Sequence, residues 1–338
     1  MDEETRQRIF KRAIAKGQKK ARQPGKCLIP GCNQRSIASH SQQRRGQLLA
    51  IAVKGHVYAF KRDYLGHLDT FQSFQGMAIE RVGIGKVSVF LGFCRAHDNN
   101  LFAGIEKRPL CPADHEQAIL LGLRAIAYES AQKRKVTVFY KALLKDVGSL
   151  MTPEIRERME ALCAGTDLYV KRESRYYLNY YLRARQDPEN APIDILWKIF
   201  PKNLDLSTTC CICPWLDDYF KRWSVESPQS IITFSVIPTS TVTHVVVTYP
   251  REIGADAEGI RKAFDDIAQL FTWIDRLAFA ECEDTAVSPR LWESLPEETR
   301  QKIAFAIRHE NFRGPLTTSQ YPKVLSAQVI GTVKGGDY

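Results

Sequence analysis

The sequence predicts an α+β chain, with a zinc-stabilised N-terminal module, a helical middle, and an antiparallel β-sheet followed by C-terminal helices. Three observations point there. Cys27-x4-Cys32 and Cys94-x2-His97 both have the spacing of structural zinc knuckles. Apolar residues recur at helical intervals from His115 to Leu162. From Ile193 the texture changes, and four short runs are rich in β-branched and aromatic residues. The chain divides accordingly into a basic arm (1–26), a zinc-binding module (27–108), a helical region (109–190) and an α+β region (191–338).

Composition narrows the classes. Of 338 residues, 44% are hydrophobic and 10% aromatic, enough for packed cores and too many for a disordered chain. The richest apolar run, Ala118 to Tyr128, is interrupted by Arg124, so no membrane span is expected. The charged N-terminus lacks an apolar signal region. Nine scattered cysteines fit a reducing compartment, and the expected location is cytoplasmic. Residues 1–110 hold 20 Lys and Arg against 8 Asp and Glu, whereas the remainder holds 28 against 30. All the basic excess thus lies with the cysteine pairs. Such a half attracts phosphates or acidic partners, or it simply solubilises the surface.

In chain order, Glu3 to Lys16 reads as a helix, with Asp2, Glu3 and Glu4 at its positive end and Gly17 to stop it. Lys19 and Lys20 follow in the arm. Pro30-Gly31 supplies the bend of the first knuckle, and Gly92 precedes the second. The two knuckles together would give a closed Cys3His set, with Cys111 as a substitute ligand. Sixty-one residues separate Cys32 from Cys94, so a folded insert is required. A helix at Gln47–Ala52 and strands at His56–Phe60 and Lys86–Phe93 supply it, around a turn-rich stretch from Lys61 to Gly85. His40, eight residues past Cys32, is a fourth ligand, a general base, or an ordinary hydrogen-bonded histidine. Asp98 either orients a ligand imidazole or caps the helix that follows His97.

Beyond Pro109, helices are expected at His115–Lys135, Val136–Leu150, and from Pro153 to a stop at Gly165. The tyrosines at 169–181 interleave with arginines, either to stack bases or to pack inward. Strands follow at Ile195–Phe200, Leu206–Cys213, Ser230–Ile237 and Thr241–Tyr249, with Pro238-Thr239-Ser240 as a hairpin turn. His244 reads as a satisfied sheet histidine, and Cys210 and Cys211 as buried strand cysteines. A long helix at Ile260–Phe279 and a capping box at Ser294-x-x-Glu297 complete the chain before a frayed end at Val333–Tyr338.

Cys27-x4-Cys32, Ser39-His40-Ser41 and Cys94-x2-His97-Asp98, with Phe102 and Glu106, resemble a zinc-bearing module of bacterial proteins without assigned activity. Some of those proteins are associated with anti-phage defence loci, so the resemblance implies a protein partner from such a locus. It extends to the Arg124–Glu129 helix and the strand at Phe234–Pro238. The two-knuckle outline is also similar to the treble-clef scaffold of HNH-type endonucleases, where His40 would take the place of the histidine that activates water. The second knuckle here ends in a histidine rather than a cysteine. Three functions are therefore expected to compete. The first is a protein that contacts nucleic acid through Lys19, Lys20, Arg35, Arg44, Arg45 and Arg95 around a structural Zn2+. The second is a nuclease with His40 as general base, and Asp98 or Glu106 holding Mg2+ or Mn2+. The third is a non-enzymatic interaction or sensing protein.

Overall fold

A computed structural model of the chain describes residues 2–61, 78–212, 231–253, 256–312 and 321–327. Cys213, His67, most of the stretch expected to be turn-rich, and the C-terminal residues expected to fray lie outside them.

Helix α1 (Glu3–Ala21) starts as expected, with the Asp2 carboxylate accepting from the Thr5 amide at 2.8 Å. It continues past Gly17, because Phe10, Ala13 and Ala21 keep one stripe buried against Val136, Phe139, Tyr140 and Leu143. The basic arm is therefore a docked helix. Next come β1 (Ala38–His40), a π-helical turn (Arg44–Leu48) running into the single turn α2 (Leu49–Ile51), and strands β2 (His56–Lys61) and β3 (Ala78–Gly83). Strand β3 occupies part of the stretch that reads as turns in the sequence. Strand β4 (Val89–Leu91) is shorter than expected, and α3 (Arg95–Glu106) begins two residues before His97.

Helix α4 (His115–Val147) is one continuous helix of 33 residues where the sequence suggests two. Its buried positions run on through Val136, Phe139, Tyr140, Leu143 and Val147, so packing holds the basic Lys133–Lys135 stretch in helix. Helix α5 (Pro153–Tyr169) has the expected Thr152 cap and first-turn proline, and it passes through Gly165. An exposed helical glycine costs only about 1 kcal/mol. A π-helical turn (Val170–Ser174) then leads into α6 (Arg175–Ala184). Tyr177, Tyr180 and Tyr181 are buried there, and the Tyr180 hydroxyl donates to the Pro192 carbonyl at 2.8 Å, so these tyrosines pack.

Strands β5 (Ile193–Phe200), β6 (Leu206–Ile212), β7 (Ile232–Pro238) and β8 (Thr243–Pro250) follow the expected runs, with the β7–β8 hairpin closed by Thr239 N–H to Val242 O at 2.7 Å. With β9 (Thr285–Val287) they form a seven-stranded antiparallel sheet of order β3-β2-β9-β6-β7-β8-β5. Strands from the 27–108 stretch thus complete the sheet of the 191–338 stretch through β2–β9 pairing. One sheet face packs on α4 and α6 in a core that also holds Cys27, Phe93 and Phe102. The other face packs on α7 (Asp256–Asp265), α8 (Ile267–Arg276), α9 (Pro289–Ser294) and α10 (Glu297–Phe312). Inward alternation explains the division. Phe234, Val236, Val245 and Val247 face the C-terminal helices, whereas Ile237 and Val246 face α4 and α6.

Two expectations at the C-terminus fail for local reasons. The single helix at Ile260–Phe279 is broken because Asp266 caps α8, accepting from the Ala268 and Gln269 amides. Ser294 does not cap α10, because its hydroxyl donates to Leu291 O at 2.8 Å and closes α9. His244 is satisfied as expected, accepting from Trp197 Nε1 at 3.1 Å. No described helix is long and apolar enough to cross a membrane.

The α4–sheet contact depends on one small residue. A Cβ on Gly122 would overlap the Tyr181 ring and lie 2.5 Å from Thr248 Oγ1 and 3.1 Å from Thr233 Oγ1. Those three side chains are locked together, with Tyr181 Oη and Thr248 Oγ1 at 2.8 Å and the two threonine hydroxyls at 2.7 Å. Gly122→Ala is expected to destabilise the fold by about 1–3 kcal/mol despite its gain in helix propensity. Urea unfolding of the variant checks this, and a stabilised variant would contradict the packing described.

Candidate metal centre and adjoining polar cluster

The first knuckle is a short backbone loop. Cys27 N–H donates to Gln34 O at 2.9 Å, Cys32 N–H to Ile29 O at 3.0 Å, and Lys26 bridges Arg35. Gly31 sits at φ 79°, a left-handed conformation that a residue with a Cβ adopts only at a cost. The second knuckle docks on it through Leu28 N–H to Gly92 O at 2.8 Å and Ile37 N–H to Phe93 O at 2.7 Å. Strands β1 and β4 pair antiparallel, with His40 opposite Val89. Cys94 then takes the N-cap position of α3, and its carbonyl accepts from the Asp98 amide at 2.9 Å. His97 falls in the first turn.

Four ligand atoms converge there. Those of Cys27, Cys32, Cys94 and His97 all lie within 4.8 Å of one another, and this is the single such cluster among the described residues. His97 Nδ1 is 3.4 Å from Cys27 Sγ and 3.3 Å from Cys94 Sγ, and Cys32 Sγ is 4.0 Å from Cys94 Sγ. A tetrahedral ion with bonds of about 2.3 Å to sulfur and about 2.0 Å to nitrogen needs edges of roughly 3.5–3.8 Å. The donor set therefore fits a metal of zinc's size and preferences. Burial pushes the Cys27 thiol up to about 11, whereas the His97 backbone N–H holds the Cys94 thiol below its ordinary value. Three thiolates on a divalent ion leave one net negative charge. Arg134, on α4, stands against Cys27 and donates to Lys26 O at 2.9 Å and Leu91 O at 2.8 Å. Cys111 is exposed and outside the cluster.

His40 is not in the cluster, so its role as a fourth ligand falls away. It ends β1 beside a second group of polar side chains. Its Nε2 is buried and has no hydrogen-bond partner among the described residues. Burial, then the charges of Arg44 and Arg124, lower its pKa, while Gly85 and Asp98 oppose them. Asp98 neither caps α3, a position held by Cys94, nor stands out as an orienting group for His97. Its surroundings are Ser39, Arg124, Glu106 and His40, and burial raises its pKa against the pull of Ser39 and Arg124.

Arg124 is the residue that sequence reasoning missed. It lies buried on α4, donates to the Glu106 carboxylate, and stacks 4.1 Å above the Phe102 ring. The available signal was a single charge inside the most apolar run of the chain. Glu106 also fixes the turn after β1, its carbonyl accepting from Gln43 Nε2 at 3.0 Å. Asp98 and Glu106 stand eight residues apart on α3, a rise of about 12 Å, too far for both to bind one ion directly. Glu106 is engaged with Arg124, whereas Asp98 makes no ion pair among the described residues and faces Ser39, Arg124 and His40. The six basic residues proposed for nucleic acid are all exposed. Lys19 and Lys20 end α1, Arg35 lies on the first knuckle, Arg44 and Arg45 open the π-helical turn, and Arg95 opens α3.

Comparison with family models, with curated proteins and with solved structures returned no match, so the site's own chemistry carries the functional argument.

Proposed function

We propose that the protein binds nucleic acid across the basic surface around a structural zinc site and hydrolyses a phosphodiester bond. The observation that carries this reading is the buried, unpartnered Nε2 of His40 beside Asp98, Arg124 and Arg44. A buried polar atom without a partner calls for an explanation, and a catalytic role is one of the few. Zinc, when bound, would hold the first knuckle against α3 and so fix β1, which carries His40. The lowered pKa keeps the imidazole neutral near pH 7 and able to accept a proton. His40 Nε2 would take the proton of a water whose oxygen bonds to phosphorus as the ester P–O bond breaks, and the leaving alkoxide would take a proton from solvent. Arg44 and Arg95, both exposed, would offset phosphate charge. Asp98 would hold a Mg2+ or Mn2+, which supplies charge neutralisation at the phosphate.

The test is incubation with plasmid and with RNA in Mg2+ or Mn2+, comparing wild type with His40→Ala. Cleavage is expected to fall about 10²–10⁴-fold in the variant. The acid limb of the wild-type pH profile should lie below the ordinary histidine value, because burial lowers the His40 pKa. Cleavage unchanged in His40→Ala would remove this role.

A second reading, binding without cleavage, is favoured by the commitment of Glu106 to Arg124. It predicts salt-sensitive affinity and no turnover under any divalent ion.

A further inference from the structure

A cleft of about 410 Å³ lies apart from His40, Asp98 and Glu106, where the end of α1 meets α4 and β4. Its volume falls in the range of about 300–1,000 Å³ usual for small-molecule sites. Lys20 and Arg22 stand at its rim and are exposed, and no carboxylate is among its described lining residues. Phe90, Leu91 and Val138 make an apolar wall. Gln132 lines the same cleft from α4 and is only 7% exposed. Its side-chain amide has no hydrogen-bond partner among the described residues. Solvent in the cleft reaches the amide, so a ligand there can pair with it without breaking a protein hydrogen bond. Arg134, by contrast, is already committed to Lys26 O and Leu91 O, and it forms the cleft's fixed wall.

We infer that this cleft binds a phosphorylated nucleoside. A flat heteroaromatic base suits the apolar wall, and its edge offers the donor–acceptor pair that a glutamine amide matches. A phosphate placed outward meets Lys20 and Arg22. An inorganic anion alone would leave the apolar wall and Gln132 unused, and an apolar ligand would leave Gln132 and the cations unused. The nucleoside phosphate is either a free mononucleotide or the phosphorylated end of a nucleic-acid strand.

The experiment is calorimetric titration of the full chain with AMP, GMP, CMP, UMP, adenosine and inorganic phosphate, and with a short 5′-phosphorylated oligonucleotide. At least one mononucleotide or the oligonucleotide should bind, at least tenfold more tightly than adenosine or phosphate. Lys20→Glu with Arg22→Glu should weaken that binding at least tenfold, and these exposed changes leave the core untouched. Gln132→Met, which fills the same space without the amide, should flatten the preference among bases. Melting curves confirm that each variant is folded. Equal affinity for mononucleotide and oligonucleotide identifies the free nucleotide as ligand, and tenfold tighter oligonucleotide binding that Gln132→Met abolishes identifies the strand end. His40→Ala should leave mononucleotide binding intact, so failure of this site and failure of the cleavage reading are separate results. Absence of binding at millimolar nucleotide, or binding unchanged in both the charge-reversal and Gln132→Met variants, would overturn the inference.

Discussion

Cys94→Ser is expected to lose the bound metal and to lower the thermal midpoint more than any other single substitution considered. Cys94 supplies one sulfur of the cluster. It also stands at the N-cap of α3, but its side chain makes no capping hydrogen bond and serine suits that position, so the expected loss is that of the ligand. Without the ion the first knuckle is held by a few backbone hydrogen bonds, chiefly Leu28 N–H to Gly92 O and Ile37 N–H to Phe93 O. Zinc contributes on the order of 10 kcal/mol in small zinc domains, where binding and folding are one event. Here the loss should spread. Cys27, Phe93 and Phe102 share a core with α4, α6 and one face of the sheet. Limited proteolysis should cut first near residues 27–37 and 92–106, followed by loosening at the α4 face. A variant that keeps the wild-type midpoint and resists protease would show that the cluster is not structural.

The second large effect is a fall in stability with rising pH, set by Asp284. This carboxyl is buried just before β9, and burial raises its pKa to about 7. The hydrogen bonds explain how the neutral form is accommodated. Ser41 Oγ lies against both Ser88 O, at 3.0 Å, and the Asp284 carboxyl, yet it has one proton to give. Neutral Asp284 can donate to Ser41 while Ser41 donates to Ser88. Gln42 Nε2 donates to the Asp284 carbonyl at 2.7 Å, so the pair links the end of β1 to the edge of β9. The folded pKa is above the unfolded value of 3.8, so the stabilisation is complete below pH 3.8 and is lost as pH rises through 7. Between pH 5 and 8 the loss should be on the order of 3 kcal/mol. Asp284→Asn keeps a neutral group at every pH, so its stability should not fall across this range, and its advantage over wild type should grow by about 3 kcal/mol from pH 5 to pH 8 in urea denaturation. An equal pH slope in the two proteins would contradict the assignment.

Much of the candidate site was legible because ligand spacing is a local property. Cys27, Cys32, Cys94 and His97 carry their own turn residues, and Gly31 adopts the positive φ that its bend requires. The strands from Ile193 to Tyr249 were legible for a similar reason, since alternation and β-branching state their own period. What escaped depends on partners distant in sequence. Gly17 and Gly165 read as helix stops, yet packing carries α1 and α5 through both. Arg124 reads as a charge breaking an apolar run until Glu106 and Phe102 are brought beneath it. The pairing of β2 with β9 joins residues more than two hundred positions apart, and no local pattern encodes it.

The central claim is that Cys27, Cys32, Cys94 and His97 hold one metal ion around which the His40 strand is set. Elemental analysis of the purified protein tests it most directly, on wild type and on a Cys27→Ser, Cys32→Ser, Cys94→Ser triple variant. The account predicts one equivalent of zinc in wild type, none in the triple variant, and full zinc in His40→Ala. A wild type without metal, or zinc retained in the triple variant, would contradict it.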